Sequence, residues 1–210
     1  MVKLLIIAPF HDYPTTLSNK AVKRLIRFIK AHKIEYHLLT SVLANRANIN
    51  RKAKKNKYDA VFYYGHGQED RLGDWAISFV PLIDKKNIHL FKDSIFYTMS
   101  CLSGRELAPA AIKEGVRAYF GHTVRYFAFI NDITTDYDFF ADWVKLVNYI
   151  PKRLIIGDTA GKAMKLYEKF ANNIYIKYLH IDRDKNLILL YSNALHLELY
   201  GDSTAILLKS

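Results

Sequence analysis

The chain holds one cysteine, Cys101, directly behind the apolar run 94–100 (SIFYTMS). His66 stands 35 residues earlier, in Gly65-His66-Gly67, directly behind a second apolar run, 59–64 (DAVFYY). A cysteine that attacks a carbonyl needs a thiolate, a general acid/base beside it and donors for the oxyanion. Ser103 and Glu106 have the spacing of a capping box, so a helix start is expected just after Cys101, where free amides and the helix dipole lower a thiol pKa. His66 can pair with the thiolate and later protonate a leaving amine. Gly67 lets the backbone approach a substrate, so its N–H and that of Cys101 are the candidate oxyanion hole. A lone cysteine is usually a small buried hydrophobe and a lone histidine a satisfied polar residue. It is the joint placement, His-Gly after one hydrophobic strand and Cys after another, that points to a catalytic dyad.

Such a dyad requires two strands that end at the same sheet edge, and the first half of the chain supplies them. Residues 3–9 (KLLIIAP), 34–40, 59–64, 94–100 and 116–120 read as strands, the first a continuous apolar run of the kind buried on both faces. Between them, Leu17, Ala21, Val22, Leu25, Phe28 and Ile29 recur at helical spacing, 42–56 reads as a very basic helix, Pro9 closes the first strand, and Pro109 to Gly115 bound the main helix after Cys101. Alternating strands and helices imply a mostly parallel sheet covered on both faces. Further on, helices are expected at 134–148 and at 158–172, the second capped by Asp158, then a hairpin of 174–181 with 187–191, a short strand at Ile77 to Val80, and strands at 195–200 and 204–208. No repeat or linker breaks the chain, and one domain over 1–210 is expected.

Composition narrows the remaining classes. Of 210 residues half are apolar, and 12 Phe, 15 Tyr and 2 Trp give ample core, which excludes general disorder. No apolar run reaches the roughly 18 residues of a membrane span, and VKLLIIAPF lacks the features of a signal peptide, so a soluble cytoplasmic protein with no membrane partner is expected. One cysteine excludes an internal disulfide and a Cys-rich zinc site. There is no GxGxxG, Walker loop or GxSxG elbow. Lys and Arg number 31 against 20 Asp and Glu, a net +11. The stretch 45–57 concentrates six of these cations, which suits phosphates or a partner protein. A zinc site of His11, His66 and His122 with Asp12 or Asp70 is a rival reading, as is an idle scaffold.

VFYYGHG followed by IFYTMSCLSG resembles the caspase–gingipain–legumain clan of cysteine peptidases, most of all gingipain-type peptidases and CHAT domains. EGVRAYFGHT, IGDTAGKAMKLYEKF and LELYGDSTAILL extend the resemblance over residues 3–208. It implies a caspase-like three-layer α/β sandwich, mostly parallel, whose His66/Cys101 dyad cuts peptide bonds in a peptide or protein substrate without a cofactor or metal. In such folds the substrate pocket lies beside the cysteine strand and the next strand's loop, which here offers Tyr126, Phe127 and Asp132. An acidic residue there, or Asp12 after the first strand, would favour a basic substrate residue; Asp12 is equally a candidate for orienting His66.

Overall fold

The computed structural model describes residues 2–75, 79–125, 137–181 and 194–207. Six strands form the central sheet in the order β2-β1-β3-β7-β8-β9. They are β1 (Lys3–Ala8), β2 (Glu35–Thr40), β3 (Ala60–Tyr64), β7 (Ile95–Met99), β8 (Ala118–His122) and β9 (Leu197–Gly201). All neighbours are parallel except β8 and β9. The four interior strands β1, β3, β7 and β8 bury nearly every side chain, as their unbroken apolar runs require.

Side-chain alternation divides the core. Leu4, Ile6, Phe62, Tyr97 and Phe120 face α1 (Tyr13–Ala31), α4 (Tyr137–Val147), α5 (Tyr149–Ile155) and α6 (Ala160–Ile181). Leu5, Ile7, Val61, Phe96 and Tyr119 face α2 (Arg46–Lys55) and α3 (Leu107–Lys113). The result is a three-layer sandwich with a mostly parallel sheet in the middle, as expected.

Several local expectations give way to tertiary structure. The polar stretch after β3 forms a second, antiparallel sheet of β4 (His66–Gln68), β5 (Arg71–Trp75) and β6 (Phe79–Asp84). Residues 174–181 are not a strand; α6 continues through them to Ile181, with Ala171, Ile174 and Tyr178 buried and Ile176 and Leu179 exposed, a helical period. The would-be partner 187–191 lies outside the described residues. Thr159 rather than Asp158 caps α6, its hydroxyl accepting from the Lys162 amide at 3.2 Å, while Asp158 pairs with Arg153 and Lys162. Residues 204–207 are not a strand, and the basic helix starts at Arg46 after a separate 3₁₀ turn, Ser41–Leu43.

Candidate active site

β3 and β7 run side by side with Tyr64 opposite Met99, and the Gly65 amide donates to the Met99 carbonyl at 3.2 Å. The strand ends therefore deliver Gly65-His66-Gly67 and Ser100-Cys101 to one place. Gly67 lies so close to the cysteine that a Cβ there would sit 2.5 Å from the Cys101 carbonyl oxygen and 2.9 Å from Ser100 Oγ. Only glycine permits that approach.

The His66 ring is held from the side. Its Nε2 lies 2.6 Å from Asp12 Oδ2, and because a carboxylate only accepts, the ring proton sits on Nε2 and Nδ1 is left for proton exchange. Asp12 is itself fixed as the N-cap of α1, Oδ1 accepting from the Thr15 amide at 3.0 Å and from the Thr15 hydroxyl at 2.6 Å. Partial burial works to raise the Asp12 pKa, but the two Thr15 donors and then His66 outweigh it, and the carboxyl is held below its ordinary value. Both oxygens of Asp12 are thus engaged, on the helix and on His66. Behind the ring, the buried Tyr63 hydroxyl is shared between the carbonyls of His66 (3.0 Å) and Gly73 (2.6 Å). His11 Nδ1 pairs with the buried Asp74 of β5, tying the same loop to the small sheet.

Cys101 is half-buried and opens a tight turn in which Leu102 takes φ of 56°, a conformation a branched side chain rarely adopts. The Leu102 amide donates to Val124 O at 3.0 Å. The expected helix start is not here. Ser103 is buried and bonds Thr98 Oγ1 at 2.7 Å, α3 begins only at Leu107, and the Glu106 and Leu107 amides donate to Glu69 O. The first amides of α3 are thus directed at Glu69.

His122 ends β8 and is 2 % exposed; burial, then the charge of His196, push it down to about 3, against a weaker pull upward from the Ser100 backbone. It is a neutral structural residue. Among the described residues no three His, Cys, Asp or Glu gather as metal ligands, so the zinc reading finds no site there. Tyr126, Phe127 and Asp132 lie outside the described residues. What the sequence reading missed is a depression of about 350 Å³ beside the cysteine turn, lined by Gln68, Glu69, Asp70, Leu102, Glu106 and Arg125. Its carboxylates are all paired: Glu69 with Arg105, Asp70 with Arg71, and Glu106 with Lys85. The signal available in sequence was the acidic Glu69-Asp70 pair two residues beyond Gly67.

No family model matches the chain, and no curated protein matches it. Solved structures do resemble it. The Arg-specific cysteine proteinase gingipain R (RGPB) superposes with a TM-score of 0.64 over 98 % of this chain at 14 % identity. A complex of the Porphyromonas gingivalis RgpB pro- and mature domains gives 0.62 over 98 % at 12 % identity. The chain spans about half of each neighbour, 47 % and 48 %. At such identities the likeness concerns the fold, which is that of the gingipain, caspase-like α/β sandwich.

Proposed function

We propose that this chain is a single cysteine endopeptidase domain, with Cys101 as nucleophile, His66 as general acid/base and Asp12 as the residue that positions His66. The observation that carries the reading is the close approach of Gly67 to the Cys101 backbone while Asp12 fixes the imidazole of the adjoining His66.

The chemistry follows from the tautomer. The Cys101 thiolate adds to the scissile carbonyl carbon, and the C=O pair moves onto oxygen, where the Gly67 and Cys101 amides are the donors. Collapse breaks the C–N bond as His66 Nδ1–H protonates the departing amine, leaving a thioester on Cys101. A water molecule then adds to that thioester, giving its proton to Nδ1, and the carboxylic acid leaves as the thiolate is restored. Asp12 stabilises the imidazolium that is present before the amine is protonated and restored when water gives up its proton, and keeps the ring from turning.

For the substrate residue before the cut we infer a basic side chain. The depression beside Cys101 is lined by three carboxylates and one guanidinium, and an incoming Lys or Arg can replace the surface cations that pair with them. A peptide library tests this; cleavage after acidic or apolar residues overturns it. A peptide or protein substrate and a cytoplasmic setting belong to the same reading, and no helix among the described residues is long and apolar enough to cross a membrane.

The dyad is tested by the rate of Cys101 alkylation against pH in the wild type and in His66→Ala. With one cysteine the signal has one source. A thiolate pKa well below the free-thiol value of about 8.5, rising in His66→Ala, is expected. A free-thiol profile unchanged by the substitution overturns the assignment.

A further inference from the structure

The net charge of the molecule is confined to one stretch. Residues 13–58 carry 12 of the 31 Lys and Arg and one of the 20 Asp and Glu, and so the whole of the +11; the rest of the chain holds 19 of each sign and is neutral. That stretch is α1, β2 and α2. The topology places it toward one side of the sandwich, because β2 is the outermost strand, while α1 packs on one face of the sheet against β1 and β3 and α2 packs on the other.

On α1, Lys20, Lys23, Arg24, Arg27 and Lys30 are exposed and recur every three or four residues, a stripe of about 15 Å at 1.5 Å rise per residue. Across the strand, Arg51, Lys54, Lys55 and Lys57 are exposed on and just beyond α2. Among the described residues only Arg46 of the twelve has an acidic partner, Asp84, and the one acid of the stretch, Glu35, pairs with Lys3 outside it. At the foot of α2, Lys54, Lys55, Lys57 and Lys92 surround a depression of about 460 Å³ in which Asp93 is the sole acid. His37, on β2 between the helices, is pushed below its ordinary pKa by burial and by Lys52 and Lys3, as a positive local potential requires.

The geometry points to a binding surface for the phosphate backbone of single-stranded nucleic acid, wrapped around the β2 edge from α1 to α2 without base readout. A protein interface centres on apolar and aromatic groups and is depleted of lysine, whereas among the described residues of this stretch the exposed large apolar side chains are three at its margins, Tyr13 at the start of α1 and Val42 and Leu43 beyond the end of β2. A lipid surface, being flat, meets one face of the sandwich and leaves the other helix unused. A duplex is stiff on this scale and has the same defect. A single strand bends, and phosphate neutralisation by Lys and Arg is indifferent to sequence.

The test is fluorescence anisotropy of a labelled oligothymidylate of about 30 nucleotides, titrated with the full chain at several salt concentrations. We expect binding at low salt whose logarithm falls against log salt with a slope of about −3 to −5, as for roughly four to seven phosphates. Lys23→Glu/Arg27→Glu on α1 and Lys54→Glu/Lys57→Glu on α2 should each weaken it at least tenfold. Lys165→Glu/Lys169→Glu on α6, the same change in net charge on exposed residues elsewhere, should stay within twofold. Circular dichroism verifies that each variant is folded. Cys101→Ser should bind as the wild type, so a failed peptidase assay and a failed binding assay are separate results. The inference is overturned by no binding at low salt, by equal losses in the α6 control, by tighter binding of a duplex of equal length, or by polyglutamate or anionic vesicles competing as well as the oligonucleotide.

Discussion

The carboxyl ends of β3 and β7 and the outer edge at β2 treat charge in opposite ways. Around Cys101 most charged side chains are tied to a neighbour: His66 to Asp12 and His11 to Asp74, partly buried, and nearer the surface Glu69 to Arg105, Asp70 to Arg71 and Glu106 to Lys85. Along β2, eleven of twelve cations have no acidic partner among the described residues. A paired, partly buried group fixes a position, and its loss moves atoms. An exposed lysine fixes nothing, contributes little alone, and matters as part of a field that a partner feels. The first region should therefore fail at single substitutions, and the second only when several are combined.

The largest effect is expected at Gly67. In Gly67→Val the new side chain meets the Cys101 carbonyl, a backbone atom that cannot swing away. Peptide cleavage should fall by about 10³-fold or more, through a displaced oxyanion site as well as a displaced nucleophile, together with a lowered midpoint of thermal unfolding. Activity near that of the wild type would mean the two loops are not coupled.

Asp12 is next, because it serves two structures that one substitution can separate. Asn is as good an N-cap as Asp, so Asp12→Asn keeps α1 while removing the charge behind His66. We expect kcat to drop by roughly ten- to a hundredfold with KM within about twofold, as for a group acting on the imidazolium of the transition state. Asp12→Ala should add a loss of about 1 kcal/mol in stability from the missing cap. If the Asn variant keeps full kcat and the Ala variant only unfolds more easily, Asp12 is a helix cap and nothing more.

His122 gives a pH signature. In the folded chain burial holds it near 3, against an ordinary 6.5. Between those values the unfolded chain takes up a proton that the folded chain refuses, so stability falls as pH falls through that window, by on the order of a few kcal/mol in all. Asp12 works in the same direction, since its lowered carboxyl contributes stability that is lost on acidification. His122→Gln removes only the first contribution, and urea midpoints at pH 7, 5 and 4 should fall less steeply than in the wild type. Parallel profiles would mean that His122 opens to solvent without cost.

The strands that carry the site were legible because strands buried on both faces are written as unbroken apolar runs, and because parallel strands must end at a common edge. The placement of Cys101 and His66 behind the ends of two adjacent strands follows from that. The small antiparallel sheet was not legible: His66–Gln68 is three residues of polar and glycine character, and only its pairing with Arg71–Trp75 makes it a strand. Residues 174–181 mislead because Ile174, Tyr175, Ile176 and Tyr178 have strand composition, whereas burial against α4, where Tyr178 meets Phe139, selects the helical face. The Ser103–Glu106 spacing matched a capping box, yet Thr98 captures Ser103, and Lys85 pairs with Glu106. Asp12 was readable as a candidate, but its role depends on a 2.6 Å contact across 54 residues that no spacing rule contains.

The smallest effect is expected at the β2 edge, and its sign is diagnostic. Lys20, Lys23, Arg24, Arg27 and Lys30 repel one another along α1, and like charges three or four residues apart cost roughly 0.2–0.5 kcal/mol per pair. Arg27→Glu reverses one charge amid four others and turns its repulsions with Lys23, Arg24 and Lys30 into attractions. The variant should therefore be more stable than the wild type at low ionic strength, by up to about 1 kcal/mol, with the gain fading toward molar salt as the Debye length shrinks to about 3 Å. Cleavage of a short peptide should be unchanged, because Arg27 lies about three turns along α1 from Thr15 and Thr16, which hold Asp12 in the His66 network. Urea unfolding at two salt concentrations reads the first expectation and a peptidase assay the second. A destabilised Arg27→Glu would show that this cation is held by contacts within the chain, and the contrast between the paired charges at the cysteine and the cations without acidic partners at the edge would no longer hold.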